Sequence, residues 1–320
     1  MLIRIIPFFS SISSKEMQKR ILSHLGVKET QIISPEQFIS ESIQKGALDQ
    51  FFLFVGTGGT EKNIATFVEQ SSLGPSLVLI SYDLSNSLPA AMEARTYLQQ
   101  QGYSTRIIHG KLEELSSIIQ KLEKYLSIRE KIAHSRIGII GVPSDWLIAS
   151  KVNEEAIKRI WGTDLLQIPM SELLNLKEGS DNRTTSAFSE SLIQQATEIL
   201  IPKEAILNAE AVVNRIEHLV QAWQLDAVTV ECFSLVQSTD ITSCLALSYL
   251  NDKNKVAGCE GDIPSTFTMF LLHLLTQQPV FMANVIHVEE KTNRMTLAHC
   301  TVPITMLETF SLTTPFETDK

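Results

Sequence analysis

The chain opens with an apolar run, Leu2 to Phe9, with only Arg4 as a charged interruption, and this predicts a first strand. From Ser13 to Leu25 the apolar residues Met17, Ile21, Leu22 and Leu25 fall on one helical face. Ser13 and Glu16 make a capping box there, and Gly26 is the stop. Ser34-Pro35-Glu36-Gln37 repeats the start signal and Gly46 the stop. Phe51 to Val55, Ser76 to Ile80 and Ser104 to Ile108 are short, continuously apolar runs separated by helix-length segments such as Leu88 to Gln101. Strands that are apolar on both faces belong in a parallel sheet covered by helices on its two sides.

A long amphipathic stretch, Leu112 to Ile132, predicts a connecting helix and places a domain boundary near residue 134. Arg136 to Val142 then restarts the alternation as a new first strand. Leu165–Ile168, Ala227–Cys232, Val280–Asn284 and Met295–His299 are the further strand candidates. Helices are expected at Ala187–Leu200, Lys203–Trp223, Asp240–Leu250 and Pro264–Gln277, and the polar segment Lys177 to Thr185 is expected to be a mobile loop. The fold class that follows is α/β, with two Rossmann-like domains built on mainly parallel sheets, residues 1–134 and 135–304.

Composition narrows the function classes. With 44% apolar and 20% charged residues, the chain is that of a compact globular protein. Its 27 Lys and Arg against 36 Asp and Glu, a net charge of −9, argue against nucleic acid as a partner. The greasiest stretch, Thr268 to Leu275, is far below the roughly 20 apolar residues of a membrane helix. The N-terminus has no separate basic region and only a short apolar run with Arg4 inside it, which reads as a first strand rather than a signal peptide, so a cytoplasmic location is expected. Cys232, Cys244, Cys259 and Cys300 have no CxxC spacing and read as buried free thiols.

Two segments carry candidate chemistry. Gly56-Thr57-Gly58-Gly59-Thr60-Glu61 joins a strand to a helix. It matches neither a dinucleotide nor a Walker fingerprint, which leaves a tight turn capped by Thr57 or Thr60, or a contact from Gly58, Gly59 and Thr60 to a sugar. In the second half Glu231 ends an apolar strand, Glu260 and Asp262 stand just before a helix opened by Pro264, and His299 ends another strand. Acids at the carboxyl ends of neighbouring parallel strands can converge on a ligand crevice. Two or three carboxylates and an imidazole suit a divalent metal ion, manganese or magnesium, held by hard ligands.

The run Ala257-Gly258-Cys259-Glu260-Gly261-Asp262-Ile263-Pro264-Ser265, with Thr268-Met269, Pro279 to Asn284 and Leu297-Ala298-His299-Cys300-Thr301-Val302-Pro303, resembles the L-fucose isomerase family and its L-arabinose isomerase relatives. Thr57 to Glu61 and Gly138 to Ser144 are similar to the same group. The resemblance implies aldose to ketose interconversion through an ene-diol, a manganese-type ion, a small-molecule sugar substrate and a homo-oligomer. It makes Glu231 the first metal-binding acid and Glu260 or Asp262 the second, with Glu231 and Asp262 handling protons and Asn284 near the substrate. Family members are longer, with a C-terminal domain that supplies a histidine ligand. Residues 305–320 read as a remnant of that domain, and His299 is the candidate substitute ligand. The alternative expectation is a non-catalytic sugar-binding or regulatory relative.

Overall fold

The computed structural model describes residues 3–40, 50–176 and 187–313. Gly46, the Lys177–Thr185 loop and the last part of segment 305–320 lie outside the described residues. The chain divides into two compact units, residues 1–130 and 131–320, and both are α/β with parallel four-stranded sheets.

The first unit runs β1 (Ile3–Phe8), α1 (Lys15–Ser23), α2 (Pro35–Ser40), β2 (Gln50–Val55), α3 (Glu61–Gln70), β3 (Ser76–Tyr82), α4 (Ser87–Gln100), β4 (Ser104–Gly110) and α5 (Leu115–Ala133), the last preceded by a 3-10 turn at Leu112–Glu114. The cap of α1 is Ser14, which accepts from the Met17 amide, one residue beyond the expected Ser13. The four strands lie in the order β1-β2-β3-β4. A lone parallel bridge from Ile32 to Ile5, with the Ile33 amide donating to Ile5 at 2.9 Å, adds a rudimentary neighbour on the free side of β1. The chain therefore steps outward from β1 in one direction, then returns to build β2 on the other.

Alternation within these strands splits the core in two. Ile3, Ile5, Phe52, Phe54, Ile80 and Tyr82 face α1 and α5 through Ile21, Leu25, Leu115 and Ile119. Ile6, Phe8, Leu53, Val55, Leu77 and Leu79 face α2, α3 and α4. Each fully buried side chain of this size contributes about 1.5–3 kcal/mol, so register in these strands is held from both faces.

The second unit contains β5 (Arg136–Ile140), α6 (Glu154–Trp161), β6 (Asp164–Ile168), α7 (Met170–Asn175), α8 (Ala187–Gln195), β7 (Glu198–Ile199), α9 (Lys203–Ala222), β8 (Ala227–Val230), α10 (Cys232–Thr239), α11 (Cys244–Asp252), β9 (Val256–Cys259), α12 (Ile263–Thr276), β10 (Asn284–Glu289), β11 (Arg294–Ala298) and β12 (Ser311–Leu312). Its parallel sheet has the order β6-β5-β8-β9, so the strand order reverses across β5, the first strand of this unit. The core gathers Ile140, Ile168, Val228, Val230 and Ala257 from the sheet with Val213, Ile216, Leu235, Leu247 and Leu250 from helices α9, α10 and α11.

Several boundaries differ from the expectations. Ala187–Leu200 is not one helix: α8 stops at Gln195, and Glu198 and Ile199 pair in parallel with Ser311 and Leu312. Asp240 does not open a helix but closes α10 in a left-handed conformation, and α11 starts at Cys244. The strand expected at Val280–Asn284 begins instead at Asn284, and it pairs antiparallel with β11 in a separate hairpin outside the parallel sheet. Among the described residues, no helix is long and apolar enough to cross a membrane.

Candidate functional site

In an open parallel sheet, ligands bind beyond the carboxyl ends of the strands, in the crevice where the strand order reverses. In the second unit that crevice lies between β5 and β8. Strand β5 leaves the sheet through Gly141, whose φ of +86° is a left-handed conformation open to glycine. A Cβ on Gly141 would lie 3.0 Å from Glu231 Cβ, so a small residue there lets the β5 loop close over Glu231. The Glu231 amide in turn donates to the Ile140 carbonyl at 2.9 Å.

Glu231 is buried, 6% exposed, and caps α10. Its carboxylate accepts from the amides of Phe233 at 3.1 Å and Ser234 at 3.0 Å, satisfying donors that a helix start leaves open. Asp262, 8% exposed, caps α12 in the same way, accepting from Ser265 at 2.9 Å. Glu260 lies between them in sequence, in a left-handed conformation with φ +64°. Its backbone carbonyl accepts from Ser144 at 3.0 Å, and its carboxylate accepts from the Trp146 indole N–H at 3.0 Å. Trp146 is 54% exposed and stands edge-on to Phe233, with ring centroids 4.8 Å apart.

Thus Glu231, Glu260 and Asp262 all stand at the same end of the sheet, following the adjacent strands β8 and β9. Trp146 and Phe233 were not among the residues read as functional. The signal for Trp146 was its place a few residues after a strand end, in a loop rich in Pro, Ser and Asp. Among the described residues, no group of three or more His, Cys, Asp and Glu side chains is arranged to hold a metal ion. As placed, Glu231 and Asp262 serve as helix caps and Glu260 as an indole acceptor.

His299 follows the β10–β11 hairpin, and its Nδ1 lies 3.0 Å from the Thr301 hydroxyl and 3.7 Å from the Cys300 sulfur. Interaction with Cys300 raises the His299 pKa, with a smaller contribution from the charge of Glu260. The four cysteines are free thiols, as expected. Cys232, Cys244 and Cys259 are buried, but Cys300 is exposed. Cys232 and Cys259 have sulfurs 3.3 Å apart, and Cys244 donates to Cys300 at 3.1 Å. Hydrogen bonds from Cys244, Cys259 and His299 hold the Cys300 thiol far below the ordinary thiol range, while Cys244 is pushed up by its bond to Cys300 and by burial.

The glycine loop of the first unit is closed on itself. The Gly56 amide donates to Phe8, the Gly58 amide to Ser85, both at 2.8 Å, and the Ser10 amide to Thr57 Oγ1 at 2.7 Å. Thr60 is fully buried and its hydroxyl donates to the Thr57 carbonyl at 2.8 Å, so it braces the turn instead of capping α3. Gly59 has φ +75°. Asn284 is exposed at the start of the β10–β11 hairpin.

No family model matches the chain. Two sulfoquinovose isomerases, from Priestia aryabhattai and Priestia megaterium, are each 21% identical to it over 219 residues, which is 67% of this chain and 49% of theirs. A third, from Alkalicoccus urumqiensis, is 28% identical over 78 residues, 24% of this chain and 18% of its own. The chain spans about half the length of the first two relatives it matches.

Proposed function

We propose that the chain is a sugar isomerase, or the sugar-holding part of one, that interconverts an aldose and a ketose at the β5–β8 crevice. The observation that carries this reading is the set Glu231, Glu260 and Asp262 beside the exposed ring of Trp146, at the reversal point of a parallel sheet. An indole offers an apolar face for the C–H side of a sugar and an N–H for an acceptor, while carboxylates accept from hydroxyls. The distant likeness to sulfoquinovose isomerases supports the same class of substrate. Two Rossmann-like units, a homo-oligomer and a small-molecule sugar partner belong to this reading.

Aldose to ketose conversion moves a proton between neighbouring carbons through an ene-diol, which needs a base within hydrogen-bond reach of the carbon acid. Glu231 accepts backbone amides through both of its oxygens, and Asp262 accepts one through Oδ1 with its side chain buried, whereas Glu260 is part-exposed and held only at its indole-bonded oxygen among its side-chain bonds described above. We therefore assign the proton-carrying role to Glu260 and the positioning of the β8 and β9 ends to Glu231 and Asp262. A manganese-type ion would be held by the carboxylate oxygens and lone pairs that these bonds leave over on Glu231, Glu260 and Asp262, and metal content of the purified protein tests that part separately.

The engagement of the acids as caps also favours a second reading, a relative that binds sugar without turnover. An assay of ketose formation from sulfoquinovose, L-fucose and L-arabinose, run with calorimetric binding of the same sugars, separates the two. Turnover lost in Glu260→Gln with binding kept supports the isomerase. Binding without turnover in the unaltered chain supports the second reading, and neither binding nor turnover with any of the three sugars overturns both.

A further inference from the structure

A cavity of about 480 Å³ lies in the second unit, lined mainly by apolar side chains such as Leu192, Ile206, Leu245 and Phe310. Its wall also carries Cys244, His299 and Cys300. These thiols take no part in the sugar reading above. Cys300 lies in the segment after β11 and Cys244 opens α11, yet their sulfurs are 3.1 Å apart, about 1 Å beyond the roughly 2.05 Å of a disulfide bond. One of the pair is exposed and the other is buried. Such an arrangement fits a two-step oxidation, in which the accessible sulfur meets the oxidant and the sheltered one resolves the product.

We propose that Cys300 and Cys244 form a peroxide-oxidised thiol pair, with Cys300 the attacking sulfur and Cys244 the resolving one. Hydrogen peroxide or a small organic hydroperoxide is the oxidant. The Cys300 thiolate attacks one peroxide oxygen, the O–O bond breaks, and the sulfenic acid forms as hydroxide or alkoxide leaves. That leaving group takes the Cys244 proton. The Cys244 thiolate then attacks the Cys300 sulfur, the S–O bond breaks, and the departing hydroxide combines with the proton first lost by Cys300. Two thiols and one hydrogen peroxide thus give one disulfide and two waters, and the two sulfurs supply both electrons.

The buried neighbours Cys232 and Cys259, with sulfurs 3.3 Å apart, serve as an internal control. Neither of them lines this cavity. Short sulfur separation alone would make both pairs react, whereas access through the cavity selects Cys300.

The test is peptide mass mapping of the whole purified chain after titration with hydrogen peroxide under non-denaturing conditions, alkylating the remaining thiols. One equivalent should give a Cys244–Cys300 cross-link and leave Cys232 and Cys259 alkylated. In Cys244→Ser, Cys300 should instead be captured by dimedone as the sulfenic acid. A cross-link that joins Cys300 to Cys259, equal reaction of all four cysteines, or no cross-link in the unaltered protein overturns the assignment. Because the first measurement uses the natural sequence, a variant that fails to fold does not blunt it.

Discussion

The two units place different things at equivalent points of similar sheets. The second sheet reverses its strand order across its first strand, whereas the first runs β1-β2-β3-β4 with only the Ile32–Ile5 bridge beyond β1, so the second has a crevice at the carboxyl ends of β5 and β8 and the first a rudimentary one at those of β1 and β2. In the first unit the crevice edge is filled by the Gly56–Glu61 turn, whose amides and hydroxyls bond to Phe8, Ser85, Ser10 and each other. In the second it carries three carboxylates and an exposed indole. A reversal point supplies a location, and the side chains at that point decide whether anything can bind. In the first unit's turn Gly56 and Gly58 are explained by close packing against Phe9 and Asn86 and Gly59 by its left-handed φ, and the Gly141 of the second by the approach of Glu231.

The largest effect should come from filling the first turn. A Cβ on Gly56 would lie 2.3 Å from the Phe9 ring, which stands edge-on to Phe54, a ring with no exposure. Gly56→Val should destabilise the protein by about 1–3 kcal/mol through overpacking. Chemical denaturation reads this as a lower midpoint, and sugar affinity of the folded fraction should stay unchanged. A drop in affinity with an unshifted midpoint would move the binding role to the glycine turn.

The next effect tests the second unit. Glu231→Ala removes the acceptor for the Phe233 and Ser234 amides and should cost about 0.5–2 kcal/mol, the range for loss of an N-cap. Glu231→Asp keeps a capping carboxylate and should recover part of that stability. If Glu231→Ala leaves the midpoint in place, the carboxylate is free for other chemistry and its description as a cap is wrong.

Much of the sheet framework was legible because it is written locally. Phe51–Val55 and Ser76–Ile80 are apolar on both faces, and only a buried parallel strand uses such a run well. What was hidden depends on distant partners. Residues 196–200 look helical until Ser311 and Leu312 arrive to pair with Glu198 and Ile199. Asp240, a good helix starter by type, is consumed as the end of a short helix, Cys232–Thr239, that was not expected between the strand and Asp240. At the site, the strand-end acids Glu231, Glu260 and Asp262 could be picked out because a carboxylate after an apolar strand is conspicuous. Their bonds could not, since capping geometry depends on where the helix begins. Sequence spacing pointed to buried free thiols, which holds for all but the exposed Cys300, whereas the pairing of four widely spaced cysteines needs the tertiary fold.

The smallest effect on stability, and the sharpest for function, belongs to Trp146. Trp146→Phe keeps an aromatic face over Phe233 and deletes the N–H that meets Glu260. The indole is 54% exposed, and substitutions at such surface positions usually change stability by less than about 0.5 kcal/mol. The denaturation midpoint should therefore hardly move. Function should respond differently, because the indole is the described side-chain donor that fixes the Glu260 carboxylate. Without it the carboxylate gains rotamer freedom, which lowers the fraction of time it spends within reach of a sugar proton. The expected result is a fall in the ketose-forming rate at saturating sugar, with sugar affinity kept by the remaining ring. A midpoint lowered as far as in Glu231→Ala would instead make Trp146 a structural brace. The exposed indole would then cease to distinguish the second crevice from the first.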